Sequence, residues 1–368
     1  MEDLSKELFG TDLFDPRPKG GQIAEISVLL GVASRGDTVF YVGEDDGGHY
    51  GMSQMAKIAG IRMESIVFHH TSHLIDIDST IMKMRDIVGQ SPLGENRNEP
   101  KALIISQSFV LRRQHIRDLC SRVRDAFPNI VITWDASHTL GLIIGKEYPH
   151  PLDKGVDILH ANTHKTFPGP QKAIIAFSPD LDETVRQNVS SIVCPVVQSN
   201  CGTGEIFALA VAFEEMRQHG RKYASQVCKN AKQLAYHLKK EGFHVVGENF
   251  DFTETHQVWI TLSDKETTLN GFNLLHKAGL RANPAILPFT GKRWGFRFGT
   301  AGMTRRGMEE TEMREIARFL RKVLIDKKEP YAVRSETKEF MNAFPLSELR
   351  FVLDTNEAFS NFEPCYVH

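Results

Sequence analysis

Cysteine is sparse and unpatterned in this chain: Cys120, Cys194, Cys201, Cys228 and Cys365 are odd in number, scattered, and form no C-x-x-C pair. That excludes a disulfide framework as the organising device and fits free thiols in a reducing compartment. Long apolar runs are absent as well. No stretch approaches the roughly 18 continuous apolar residues that a membrane span needs, and "MEDLSKELFG" has neither the basic start nor the apolar stretch of a signal peptide. A cytoplasmic location without membrane contact is the expectation. Neither charge is in excess: the formal net charge is −2, which gives no electrostatic reason to expect nucleic acid or an anionic membrane as partner. Internal repeats and low-complexity linkers are missing too.

What is present is the composition of an ordinary globular protein, 41% hydrophobic and 24% charged over 368 residues. One hydrophobic core seldom organises that length, and about 150 residues per domain suggests two domains. In the first half, short apolar runs alternate with amphipathic ones. "DTVFYVG" (37–43), "ESIVFHH" (64–70), "KALIISQSF" (101–109), "NIVITWDAS" (129–137), "VDILHAN" (156–162) and "KAIIAFS" (172–178) each predict a buried strand. Helical patterns such as "GHYGMSQMAKIAG" and "RRQHIRDLCSRVRDAF" lie between most of them, so the expected fold class is α/β with a mostly parallel, doubly wound sheet. Beyond residue 205 the texture changes. One helical pattern runs from Glu205 past Gly220 and a second from Arg221 to Glu241; then come the strands "HQVWITLS" and "WGFRFGTA" and the helix "EETEMREIARFLRKVLI". These predict a smaller C-terminal α+β domain, with residues 1–214 forming the large domain and 215–368 the small one.

Ligands in open α/β sheets bind at the carboxyl ends of the strands, and four segments combine that position with unusual chemistry. In "DPRPKGGQIAEISVLLGVAS", Gly20 and Gly21 sit in a turn that opens an apolar helix, either a plain turn or a place where backbone N–H groups and the helix's positive end meet a phosphate. In "VITWDASHTLGL", Asp135 and His138 stand just past a strand end, where the aspartate is a helix cap or a functional charge. In "NTHKTFPGP", Lys165 is held in a proline-bounded polar turn. Alone it reads as a surface lysine; with a lowered pKa it can form an imine with a carbonyl, as lysines that carry pyridoxal phosphate do. In "WGFRFGTAGMTRRG", Arg297 interrupts an aromatic strand, which is costly unless it meets an internal carboxylate or binds an anion such as an amino acid's carboxylate.

Three other features carry plainer readings. "GTGEIF" (202–207) imitates a dinucleotide fingerprint but lacks the third glycine, "HHTSH" (His69, His70, His73) has no accompanying Cys or carboxylate cluster for a metal, and "GEDDGG" reads as a solvated acidic loop.

A phosphate cup, an aspartate, a reactive lysine and a carboxylate-binding arginine are together the parts of a pyridoxal-phosphate enzyme. In motif the chain resembles the serine hydroxymethyltransferases. "THKTFPGPQKA" is similar to their "THKT-x-x-GP-R-GG", and "WDASHTLGLIIG" to their "D-x-AH-x-x-GL-x-x-G"; "ELFGTD", "RGDTVFYVGEDDGGHYG", "FRFGTAGMTRRG" and "FPL" (344–346) follow in the family's order. The resemblance implies the aspartate-aminotransferase fold (fold type I) and a homodimer with sites at the subunit interface. It implies that Lys165 carries pyridoxal 5'-phosphate, that Asp135 pairs with the pyridine nitrogen, that His49 stacks on the ring, and that His138 lies beside the phenolic oxygen. Thr163 would bond near the imine, Gly20, Gly21 and Gln22 take the place of the family's Ser-Gly-Ser phosphate loop, and Arg297 holds the substrate carboxylate.

Departures from the family pattern bear on the reaction. The family's N-terminal arm, with a tyrosine and a catalytic glutamate for the neighbouring site, has no counterpart here, and its folate loop is cut to "ANPAILPFTGKRWG" while "GPRGG" becomes "GPQKA". The expectation is therefore chemistry at the Cα of an amino acid, by folate-independent aldol cleavage or aldol transfer of a β-hydroxy amino acid. Transamination, decarboxylation or cyclisation stand as alternatives, as do an inactive homologue and a site completed by a second polypeptide supplying the arm.

Overall fold

The computed structural model describes residues 2–89 and 99–354, so Cys365 lies outside the described residues. Along the large part of the chain run α1 (Glu2–Phe9), β1 (Phe14–Asp15), α2 (Gly21–Val32), β2 (Thr38–Tyr41), α3 (Tyr50–Ala59) and β3 (Arg62–Ser65). A small hairpin, β4 (Phe68–His69) and β5 (Leu74–Ile75), precedes α4 (Ile77–Gly89), β6 (Pro100–Ser106), α5 (Ile116–Ala126) and β7 (Val131–Asp135). Then come α6 (Leu140–Ile144), β8 (Ile158–Asn162), β9 (Ala173–Phe177) and α7 (Glu183–Ser191). Seven of these strands form one sheet in the order β1-β9-β8-β7-β6-β2-β3, parallel from β8 through β3 and antiparallel at β9 and β1. The central strands are apolar almost without a break because helices cover both faces; Leu103, Ile104 and Ile105 are all fully buried.

The rest is α8 (Thr203–Lys240), β10 (His244–Val245), β11 (Gln257–Thr261), α9 (Lys265–Lys277), β12 (Asn283–Ile286), β13 (Trp294–Gly299), α10 (Ala301–Arg305), α11 (Glu310–Leu324) and α12 (Pro330–Asn342). Its antiparallel sheet has the order β10-β11-β13-β12. Local signals start these helices as expected: Asp264 accepts from Thr267 N at the head of α9, and Glu309 and Glu312 close a capping box on α11.

Two expectations differ from what is observed. The run 64–70 is not one strand: the ladder to β2 ends as Ile66 N donates to Tyr41 O, and the chain leaves the sheet to pair Phe68 with Ile75 in the hairpin. The two helical patterns after residue 205 are one 38-residue helix, α8, about 57 Å long at 1.5 Å per residue. Gly220 does not break it, and the close approach at this point is permitted by the facing Gly145, on which a Cβ would lie 2.4 Å from Gly220 O and 2.2 Å from Ala224 Cβ. α8 also crosses the expected boundary near residue 215. Residues through Cys228 join the core of the large sheet, and those from Ala231 join the core of the small one. Among the described residues, no helix is long and apolar enough to cross a membrane.

Candidate active site

Parallel strands point their carboxyl ends at one edge, and there β6 delivers Ser106, β7 Asp135 and β8 Asn162. Lys165 follows β8 in a turn closed from several sides. Thr163 N donates to Lys172 O, Gly169 N to Thr163 O, and Thr166 Oγ1 to His138 O at 3.0 Å. The Thr163 hydroxyl is fully buried and donates to Pro170 O at 2.7 Å, so here it shapes the turn.

Lys165 Nζ lies 3.1 Å from His138 Nε2. Burial pulls the amine below its ordinary pKa and Arg297 adds to the effect, against Asp135 and Glu25, which raise it. Asp135 Oδ2 accepts from Ser106 Oγ at 2.8 Å, Oδ1 accepts from Ser137 N at 2.8 Å, and His160 Nδ1 is 4.0 Å away. Burial alone would push this carboxyl up; His160, Lys165 and the Ser137 hydrogen bonds outweigh it and hold the net shift downward, so it stays ionised. His138 is driven well below its usual range, first by burial and then by the charges of Lys165 and Arg297. His49, at the N-terminus of α3, is in a 2.7 Å ion-pair contact with Glu25 Oε2. That contact raises its pKa over the opposing effect of burial.

The groups present fit pyridoxal phosphate. Gly20 precedes α2 with open space where a Cβ would stand and offers no side-chain cap of its own, and the first turn has no acidic residue to oppose an anion at the helix's positive end. The Gly21 N–H is already held by Asn162 Oδ1 at 2.9 Å, and a Cβ there would lie 2.3 Å from the Asn162 amide, so only glycine lets the two segments meet. Gln22 brings its side chain beside Gly51 and His49. Arg297 reaches the same space from β13. Its Nη1 donates to Ser108 O at 2.7 Å, its guanidinium lies 4.7 Å from the Phe109 ring centroid, and burial lowers its pKa to about 10. Among the described residues no carboxylate pairs with it.

Lys165, Asp135, His138, His49 and Arg297 are thus brought to one site. The histidines of "HHTSH" separate instead: His69 faces Asp76, His70 faces Asp46, and His73 stacks on Phe289. Sequence reasoning missed Glu25, Ser106, Asn162, His160, His256 and Gln257. Glu25 carried a signal, a lone carboxylate in the apolar run "QIAEISVLL"; the others are polar residues within strands or at their ends whose partners only the fold brings near.

Compared with known proteins, residues 2–320 match the family model described as serine hydroxymethyltransferase. The chain is 34% identical over 353 residues to the serine hydroxymethyltransferase of Thermococcus onnurineus, covering 93% of this chain and 79% of that one. It is 31% identical over 362 residues to that of Aeropyrum pernix, covering 96% and 78%. Among solved structures it superposes with a TM-score of 0.89 and 37% identity on the L-threonine transaldolase from Pseudomonas fluorescens in its internal aldimine state, covering 98% of this chain and 80% of that one.

Proposed function

The chain belongs to the serine hydroxymethyltransferase family, and from that premise we propose that it cleaves or transfers the aldol unit of a β-hydroxy amino acid without folate. It is a fold type I, pyridoxal-phosphate-dependent enzyme of the transferase and aldolase kind. When bound, the cofactor supplies an electron sink for a carbanion at the substrate's Cα. The observation that carries the reading is Arg297: a half-buried guanidinium, its pKa lowered by desolvation, with no carboxylate partner among the described residues and facing Lys165 and His138, is a receptor for the carboxylate of an amino acid. Held there, the substrate presents its Cα to Lys165, whose amine can take and return a proton at that carbon. Asp135 keeps a negative charge where the pyridine nitrogen would lie, and Gly20, Gly21 and Gln22 form the phosphate cup at the head of α2.

Aldol chemistry is favoured by the likeness to an L-threonine transaldolase over nearly the whole chain. Folate independence is favoured by the shortness of the segment "ANPAILPFTGKRWG" beside the family's longer folate loop. In that segment Pro288 Cγ lies 3.4 Å from where a Cβ on Gly47 would stand, and Phe289 stacks on His73 at 4.3 Å. A homodimer is favoured by the apolar side chains left outside: Phe207 and Val211, one turn apart on α8, are 71% and 48% exposed, with Val196 and Tyr50 also exposed.

The deciding experiment incubates the protein with glycine, serine, threonine and alanine, with and without tetrahydrofolate, and identifies the products. Release of acetaldehyde from threonine at a rate indifferent to folate is expected. Folate-driven cleavage of serine would overturn the folate-independent reading. Conversion of the cofactor to its amine form would replace aldol chemistry by transamination.

A further inference from the structure

We propose that Gln257 is a positioning residue that fixes the His138 tautomer and so keeps the free Lys165 amine uncharged. The proposal rests on the reading of Lys165 as the cofactor lysine. Gln257 opens β11 on the small sheet, is 1% exposed, and makes four side-chain contacts. Its Oε1 accepts from Val110 N at 3.1 Å and from Trp259 Nε1 at 3.0 Å. Both of those groups are donors only, so the amide has one orientation. Its Nε2 is thereby aimed at Ser108 O, 3.1 Å away, and at His138 Nδ1, 3.3 Å away. Ser108 O cannot donate, and it also accepts from Arg297.

The consequence passes through the imidazole. Facing a donor, Nδ1 must be the acceptor, so the single proton of neutral His138 sits on Nε2. Nε2–H then points at Lys165 Nζ across 3.1 Å. A neutral amine can accept that hydrogen bond; an ammonium cannot. The other charged and titratable groups around Lys165 do not settle its state. Asp135 and Glu25 favour the cation, whereas Arg297 opposes it, as do His49 when protonated and the desolvated pocket, while His256, stacked 5.9 Å from His138, is itself buried and neutral. The hydrogen-bond relay from Val110 and Trp259 through Gln257 and His138 is therefore a directional contribution that selects the nucleophilic, proton-accepting form of the lysine whenever it is not covalently engaged. It also ties the small sheet to the reacting amine, since Gln257 and Trp259 lie on β11 and Lys165 follows β8.

The test measures how fast formaldehyde and cyanoborohydride methylate Lys165 in the cofactor-free, full-length protein across the neutral and alkaline range, read by peptide mass mapping. The midpoint of the rate against pH reports the amine's ionisation. Gln257→Leu frees Nδ1, and Gln257→Glu turns its partner into an acceptor that draws the proton to Nδ1, leaving the Nε2 lone pair to stabilise the ammonium. Both should move the midpoint upward, and an upward move of about one pH unit lowers the rate about tenfold at pH values well below both midpoints. Gln257→Glu also adds a negative charge that raises the midpoint by itself, so the decision falls to Gln257→Met, which keeps the volume with neither donor nor charge; a midpoint at the wild-type value in that variant would overturn the proposal, and it decides the matter if the Leu variant does not fold. Separately, a wild-type protein that takes up pyridoxal phosphate at another lysine would remove the reading on which the proposal rests.

Discussion

Glu25 Oε2 sits 2.7 Å from His49 Nδ1, while Glu25 Oε1 is 3.3 Å from the same Ser106 hydroxyl that binds Asp135 at 2.8 Å. A hydroxyl has one proton, and the shorter distance gives it to Asp135. Glu25, buried at 2% exposure, therefore depends on His49 for its compensating charge.

Replacing Glu25 by Gln should accordingly lower the pKa of His49, followed by the titration of its Cε1 proton in NMR spectra. The sign for stability is fixed by the raised value: the pair stabilises fully below the ordinary histidine pKa of 6.5 and loses its effect as pH rises through the folded value. Glu25→Gln should thus cost more stability in acid than in alkali. His49→Ala should cost more than Glu25→Gln at neutral pH, because it leaves a buried carboxylate unpaired. Equal costs at all pH values would show that the pair is not ionic.

Asp135 accepts two hydrogen bonds and is held ionised among His160 and Lys165. Asp135→Asn is nearly isosteric and keeps the strand end, yet removes the charge opposite the cofactor's ring nitrogen. Exchange of the Cα proton of glycine with deuterated solvent should slow by roughly 100-fold or more, on the scale of lost acid–base assistance. The melting midpoint should stay within a few degrees of wild type. Unchanged exchange would reduce Asp135 to a structural acceptor for Ser106 and Ser137.

Much of this site was legible in the sequence because reactive groups stood where packing does not need them. Lys165, Asp135 and Arg297 each interrupt or end an apolar run, and the fold brings the first two to the carboxyl ends of β8 and β7 with Arg297 reaching in from the middle of β13. The partners that tune them were not legible. Ser106, His256 and Gln257 look like ordinary strand-end polar residues, and their roles depend on contacts across 29 to 119 positions of sequence. The hairpin at 68–75 was hidden for a different reason. "ESIVFHH" has strand composition throughout, and what divides it is the backbone bond of Ile66 N to Tyr41 O and a left-handed residue at His73, neither of which residue type announces.

His73 supplies a pH prediction. It stacks between Phe289 and Trp259 with 6% exposure, and burial lowers its pKa to about 4, aided by the charges of Arg112 and His70. Here the folded state refuses a proton that the unfolded chain accepts. Stability should fall as pH drops below 6.5 and continue falling to about 4, by about 3 kcal/mol in all from this group. His73→Phe keeps the stacking and removes the titration. Melting midpoints between those two pH values should drop less in the variant than in wild type; parallel curves would show that acid sensitivity arises elsewhere.

Lys172 supplies the last prediction, because it stands in "GPQKA" where the resembling family has glycine. Its side chain is buried at 1% exposure, and Nζ donates to Cys201 O at 2.6 Å and to Arg17 O at 3.3 Å. Gln198 donates to the same Arg17 carbonyl at 2.9 Å and accepts from Lys19 N at 3.0 Å, so two side chains pin the segment that leads into Gly20 and Gly21. If that segment carries the phosphate cup, Lys172→Met should loosen phosphate recognition while sparing the imine-forming lysine. The binding constants of pyridoxal phosphate and of pyridoxal, which lacks the phosphate, separate the two effects. The variant should lose about tenfold in affinity for the former, equivalent to about 1.4 kcal/mol, with little change for the latter. Lys172→Gln, which keeps a donor without the charge, should recover most of the loss. If both ligands weaken together, Lys172 serves the fold rather than the cup; if neither weakens, the pinned segment does not touch the phosphate at all.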